Sequence, residues 1–367
     1  MRFDDAPGRG AITAQILRAA WRAAPPPLEL SAHELAQQIY LLQNKGAGAL
    51  AWWRLRNTAL APQAEELRHA YLTHAFQADI HEQQLSAVVA FLQKHGLTPL
   101  LLKGWAVSRL YPEPGLRPYG DLDLAFSRAD FPKACSVIFD GAWQQAIGQS
   151  PGIDLHEEIS DLADRSWSDI WSRTKLIPLG PVSVRVLGAE DQLRHLCLHF
   201  LRHGGWRPLW LCDIGAALEA LPSDFDWDYF FTGDRKANDW VRACLSMAAD
   251  LLGASLPASC AREPVAGWIR KSVLQQWGQT EAGDSHGRDD RPLRAYLRQP
   301  WKLIDAWRRR WPSAVEAVLA TAGRPVEWVP RWARQWLFVA HRAGTWLFRT
   351  GKVRAVLPTQ GGVTIHT

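Results

Sequence analysis

Cysteine is scarce in this chain of 367 residues: there are five (Cys135, Cys197, Cys212, Cys244 and Cys260), an odd number, widely spaced and without a CxxC pair. Neither a disulfide framework nor a thiolate zinc site is indicated, and a reducing compartment fits best. No stretch reaches the ~18 uncharged residues that a membrane span requires. The opening MRFDDAPGRGAITAQIL has no continuous apolar core behind its basic residue, so neither secretion nor a spanning segment is expected, and the expected location is cytoplasmic. Internal repeats are absent, and low-complexity bias is missing over most of the length.

What is present suits a globular chain, with 47% hydrophobic and 22% charged residues. A single hydrophobic core seldom grows beyond roughly 250 residues, so two or three cores are expected. The formal charge of +5 is unevenly distributed. Residues 294–354 carry thirteen Lys/Arg against Asp305, Glu316 and Glu327, a surplus of ten, which leaves the remainder at about −5.

From Ala11 to about Leu92 apolar residues recur at three- and four-residue spacing, and SAHELAQQIYLLQ opens with Ser31 as an N-cap and Glu34 as its capping-box partner. After KHG the mode changes. LTPLLLK is a short apolar run bounded by turn chemistry, which predicts a buried strand, and GWAVSRLY predicts a helix begun by glycine. PEPGLRPYG, with three prolines and two glycines in nine residues, can only be loop.

DLDLAF and GIDLHEEI predict strands, and TKLIPLGPVSVRVLG a hairpin turning at Gly180-Pro181. SRADFPKACSVIFDGA predicts a helix capped by Ser127. Helical patterns resume from Ala189. The expected class is α+β: a small mixed β-sheet core at 96–188, an N-terminal helical region at 1–95 and a helical domain at 189–278. A linker is expected at 279–293 and a basic, Trp-rich helical tail at 294–367.

The two aspartates of DLDLAF raise a physical difficulty. Strand alternation puts Asp121 and Asp123 on one face, where like charges are destabilising unless something offsets them. The second strand carries Asp154, His156 and Glu158 on one of its faces and could lie alongside. Three convergent carboxylates are natural around Mg²⁺ or Mn²⁺, hard cations that take oxygen ligands. Such ions support in-line displacement at phosphorus. Gly104 permits close approach of a phosphate, and Lys103 and Arg117 could neutralise it.

The order of strand, glycine-begun helix, loop, Asp-x-Asp strand and a further strand with a single aspartate resembles the DNA polymerase β-like nucleotidyltransferase superfamily. More narrowly, LLKG…LY…GLRPYGDLDL, then IDLHEEI, then DQLRHLCLHF…LCDIGAAL is similar to an uncharacterised bacterial nucleotidyltransferase group often associated with biosynthetic gene clusters. The resemblance covers roughly residues 30–250. It implies that Asp121 and Asp123 bind metal, that Asp154 is the third carboxylate, and that the Lys103-Gly104 turn lies against an NTP. The wider superfamily has Gly-Ser or Gly-Gly at that turn, whereas this chain has Lys103-Gly104-Trp105. The expected reaction is NMP transfer, AMP from ATP foremost, to a small-molecule or peptide acceptor. The alternatives are a catalytically silent nucleotide-binding module of the same fold and an RNA-directed nucleotidyltransferase.

Other clusters have plainer readings. His195, His199 and His203 recur every four residues, but with no HExxH pattern and leucines interleaved, packing is preferred over a zinc site. His156 could touch substrate, orient a carboxylate or simply pack. Asp224, Asp226 and Asp228 read as helix capping. The basic segment interleaves cations with Trp301, Trp307, Trp311, Trp328, Trp332, Trp336 and Trp346, a mixture that suits an anionic membrane surface, a nucleic acid or an acidic partner, or core anchors overlaid by arginine stems.

Overall fold

The computed structural model describes residues 6–140, 152–257, 260, 263–279, 311–348 and 363–366. Four helices open the chain: α1 (Ala6–Leu17), α2 (Ala32–Asn44), α3 (Gly48–Leu55) and the long α4 (Glu65–Lys94). The Ser31 capping box forms as its sequence predicts, the Ser31 side chain accepting from Glu34 N while the Glu34 carboxylate accepts from Ser31 N. Strand β1 (Leu100–Leu101) follows, then the single-turn helix α5 (Trp105–Ser108), strand β2 (Asp121–Phe126), helix α6 (Phe131–Phe139) and strand β3 (Gly152–Glu157).

Helix α7 (Trp167–Arg173) leads into β4 (Lys175–Leu179) and β5 (Val182–Val186), the expected hairpin. Helices α8 (Ala189–Arg202), α9 (Pro208–Glu219), α10 (Trp227–Phe230), α11 (Arg235–Leu252), α12 (Gly267–Gly278), α13 (Ala314–Ala320) and α14 (Arg331–Phe348) come next, and β6 (Val363–His366) closes the sheet. The class is α+β, mostly helical around a six-stranded mixed sheet in the order β4-β5-β1-β2-β3-β6.

β2 runs antiparallel to β1 and parallel to β3, with Asp123 directly opposite Asp154 and Asp121 opposite Gly152. Alternation sorts the side chains by face. Leu122, Leu124, Phe126, Ile153 and Leu155 join the core that Leu85, Val88, Val89 and Leu92 of α4 and Phe131, Ala134 and Ile138 of α6 complete. Asp121, Asp123, Asp154 and His156 are left on the opposite face. A separate and larger core joins α1–α3 with α8, α9, α11, α12 and α13.

Two local expectations change. β3 ends at Glu157, and Glu158 takes a left-handed φ of 58°, so Glu158 leaves the face that carries Asp154 and His156. α6 begins at Phe131 because residues 127–130 form a turn of their own, in which Ser127 Oγ accepts from Asp130 N at 3.1 Å. The expected linker at 279–293 lies outside the described residues except for Gln279, as do Trp301, Trp307 and Arg308–Arg310.

The proline-rich loop between α5 and β2 is held at several points along its span. At Gly115, with φ 83°, a Cβ would lie 2.3 Å from Ala75 N, so only glycine lets the loop come against the α4 backbone. Two residues on, Arg117 Nε and Nη2 donate to Asp213 of α9, the shortest contact being 2.9 Å, and Tyr111 Oη donates to the same carboxylate at 2.7 Å. The loop is thereby tied to α9.

Candidate active site

Asp123 is the most buried member of the acidic face, 2% exposed. Lys103 Nζ lies 3.0 Å from its Oδ1 and His156 Nε2 lies 3.2 Å from the same oxygen. Burial alone would raise the Asp123 carboxyl, yet Lys103 and His156 outweigh it and hold the group far below the usual carboxylate range. Burial likewise acts to lower the Lys103 ammonium, and Asp123 followed by Asp121 reverses that, leaving it above its ordinary value.

Asp123 Oδ2 is buried and has no protein hydrogen-bond partner. Asp123, Asp154 and His156 bring one ligand atom each within 4.8 Å of one another. A buried carboxylate oxygen without a donor, beside a second carboxylate and an imidazole, is the donor set a divalent cation takes. These residues therefore fit a metal ion. Asp121 stands two residues before Asp123 on the same strand face and is exposed. The protein around it raises its carboxyl above the ordinary value, and the charges of Asp123 and Asp154 add to that while Lys103 opposes them.

The Lys103–Ala106 turn has Gly104 at φ 62°, ψ −115°, the first central position of a type II′ turn, where a side chain is strained. Ala106 N donates to Lys103 O at 3.3 Å to close it. The Trp105 ring turns away from the cleft into the α4 core, 5% exposed, and its Nε1 donates to Glu82 at 3.1 Å. Trp105 is thus a packing anchor beneath the turn.

These groups line a cavity of about 860 Å³. Lys103, Gly104, Arg117, Asp121, Asp123 and Asp154 all border it, so every residue singled out in the sequence as a site candidate reaches the same cleft. Arg117 reaches it with its guanidinium already engaged by Asp213.

The opposite wall was not legible as a site. It consists of Asp161, the histidine face of α8 and the segment after it, including Trp206, Arg207 and Trp210. Asp161 lies 3.2 Å from His195 Nδ1 and 2.6 Å from Arg202 Nη2. Burial favours the protonated carboxyl, but His195 and then Arg202 keep Asp161 below its usual range. His199 packs edge-on against Trp210, centroids 4.7 Å apart, and its Nε2 has no hydrogen-bond partner. Desolvation, and after it the nearby charge of Lys103, pushes His199 well below the ordinary histidine value, so this ring is neutral near pH 7. The helical histidine spacing, which could equally be core packing, was the available signal. Asp161, forty residues from Asp121 in a segment without a motif, offered none.

A family model described as an uncharacterised nucleotidyltransferase matches residues 33–253, well over half of the chain, and the chain belongs to that family. No curated protein and no solved structure is significantly similar to it. Among the described residues no helix is long and apolar enough to cross a membrane.

Proposed function

We propose that this member of the uncharacterised nucleotidyltransferase family transfers a nucleotidyl group, AMP from ATP foremost, to a hydroxyl or phosphate oxygen of a small-molecule or peptide acceptor. The observation that carries the reading is the convergence of Asp123, Asp154 and His156 around a buried carboxylate oxygen that no protein donor satisfies. Asp121, Asp123 and Asp154, with His156 beside them, would hold Mg²⁺ or Mn²⁺, the imidazole making Mn²⁺ at least as well suited. The cation would supply charge stabilisation for the α-phosphoryl group and for the departing pyrophosphate.

The rest falls to the chain itself. Lys103 and the Gly104 turn lie against the triphosphate, the glycine leaving room for it and the ammonium offsetting its charge. Arg117 adds its positive field from a fixed position, since Asp213 holds its guanidinium. The wall containing His199, Trp206 and Trp210 receives the acceptor. The acceptor oxygen forms a bond to the α-phosphorus, its proton passes to Asp154, and the bond to the bridging oxygen breaks as pyrophosphate leaves.

The test is incubation with Mg²⁺ or Mn²⁺, each α-labelled NTP and a metabolite extract as the source of acceptor. Label should move to a new product with wild type and not with Asp123→Asn. Equal transfer by both would overturn the assignment. A nucleotide-binding module without turnover is the second reading, favoured by Lys103 already pairing with Asp123. ATP binding with no label transfer under any acceptor source, added tRNA included, would select it.

A further inference from the structure

The C-terminal tryptophans take no part in nucleotidyl transfer as proposed above, and several are exposed. Trp328 is 92% exposed, Trp332 64% and Trp336 53%, and Val326 and Leu337 beside them are 78% and 54% exposed. Burying side chains of this size is the ordinary outcome of folding, so several exposed within a dozen residues of sequence point to an interaction surface.

Helix α14 is fastened to the body through Arg334, Gln335 and Trp336, whose ring packs edge-on against Trp311 with centroids 4.9 Å apart. Arg334 donates to Glu327 at 2.8 and 2.9 Å and to Thr321 O at 2.8 Å, while Gln335 Nε2 donates to Pro312 O at 2.9 Å. At about 100° per residue, Trp332, Trp336, Ala340 and Ala343 share one stripe. Exposed Arg331, Arg342 and His341 fall on the remaining, polar side of the helix. A Trp-bearing apolar stripe with cations on the polar side is the pattern of a helix lying in the plane of a membrane interface.

Charge selects the occupant. From Trp328 to the last residue the sequence has no Asp or Glu, against Arg331, Arg334, Arg342, Arg349, Lys352 and Arg354. An anionic leaflet attracts such a segment, at about 1 kcal/mol per cation close to the surface. Indole rings favour the headgroup level. Nucleic acid would use the arginines and the ring faces but gains nothing from aliphatic Val326 and Leu337. With no helix of the described residues able to span, the contact would lie on the surface.

We propose that the surface made by Trp328, in the bend before α14, and by Trp332 and Trp336 of the helix docks on an anionic lipid bilayer, with the indoles among the headgroups and Arg331 and Arg342 drawn to lipid phosphates. The proposal is independent of nucleotidyl transfer. Co-sedimentation of the full chain with phosphatidylcholine vesicles in which about one lipid in three is phosphatidylglycerol tests it. Wild type should partition onto these vesicles, more weakly as salt rises, and should leave pure phosphatidylcholine largely unbound.

Trp328→Ser/Trp332→Ser should lower partitioning at least about tenfold with an unchanged melting temperature. Should that variant melt early, Arg331→Glu/Arg342→Glu gives the same reading through charge. No partitioning of wild type would overturn the proposal, as would equal partitioning of wild type and both variants. So would binding of a single-stranded RNA oligonucleotide, or self-association in sedimentation velocity, that replaces vesicle binding and is lost in the same variants.

Discussion

Lys103 Nζ and His156 Nε2 meet on a single oxygen of Asp123, at 3.0 and 3.2 Å, and the other oxygen of that buried carboxylate has no protein hydrogen-bond partner. The ammonium favours the ionised forms of two of these carboxylates: it depresses Asp123, together with His156, and opposes the upward shift of Asp121. Lys103→Met should therefore let these carboxyls take up protons at higher pH. Mn²⁺ binding, followed by electron paramagnetic resonance as the pH is lowered, should be lost about one pH unit or more earlier than in wild type. An unshifted profile would separate Lys103 from the acidic cluster.

His199 gives a second pH dependence, with the sign fixed by its environment. Its folded-state value is depressed, so below the unfolded value of about 6.5 the unfolded chain binds a proton that the folded chain refuses. Stability contributed by the neutral ring is complete above that pH and falls on acidification, by up to about 1.4 kcal/mol per pH unit. His199→Gln should flatten this part of the curve in denaturant unfolding between pH 7 and about pH 5. Parallel curves for the two proteins would refute it.

Asp213 is fully buried and accepts from both Arg117 and Tyr111. Asp213→Ala would leave a guanidinium buried without its counter-charge, a loss of about 3–5 kcal/mol in equilibrium unfolding. Replacing both partners, as in Arg117→Met/Asp213→Leu, should recover most of that loss. A cost near zero for the single variant would mean that the loop is held elsewhere.

The two site-loop glycines should differ in kind. At Gly104 a Cβ would meet Tyr119 at 3.5 Å and Asp121 O at 3.6 Å, ordinary contacts, so Gly104→Ala carries mainly the backbone penalty, about 1–3 kcal/mol, and should weaken binding of an ATP analogue. At Gly115 the backbone of Ala75 is already in the way, so Gly115→Ala should destabilise more and lower the yield of folded protein. Thermal unfolding of the pair measures the difference, and equal melting temperatures would contradict it.

Local chemistry was legible in the sequence wherever a period or a cap determined it. DLDLAF alternates, so its aspartates share a face, and the Gly180-Pro181 hairpin and the Ser31 capping box follow from turn and cap residues a few positions apart. Asp226 caps α10 by accepting from Tyr229 N, as the reading of its acidic run had it. The class, a mixed sheet within helices, followed from the change of period after KHG.

What escaped depends on contacts distant in the chain. Arg117 and Asp213 are 96 residues apart, and nothing in PEPGLRPYG shows that its arginine is held by a buried carboxylate of α9. The direction of Trp105 is set by α4, which lies before it in sequence, and its meeting with Glu82 has no local signature. The way Asp161 gathers His195 and Arg202 depends on how residues 160–162 cross α8. His156 was ambiguous on a strand face until the parallel register set it one step beyond the Asp123 and Asp154 pair.

The central claim is that Asp123 and Asp154 hold a divalent cation for nucleotidyl transfer. Mn²⁺ titration followed by electron paramagnetic resonance, with a non-hydrolysable ATP analogue present, tests it most directly. Wild type should show a bound signal that Asp123→Asn and Asp154→Asn each abolish or weaken by at least about tenfold while both variants stay folded. Mn²⁺ binding of equal strength in wild type and in folded Asp123→Asn and Asp154→Asn would contradict the account.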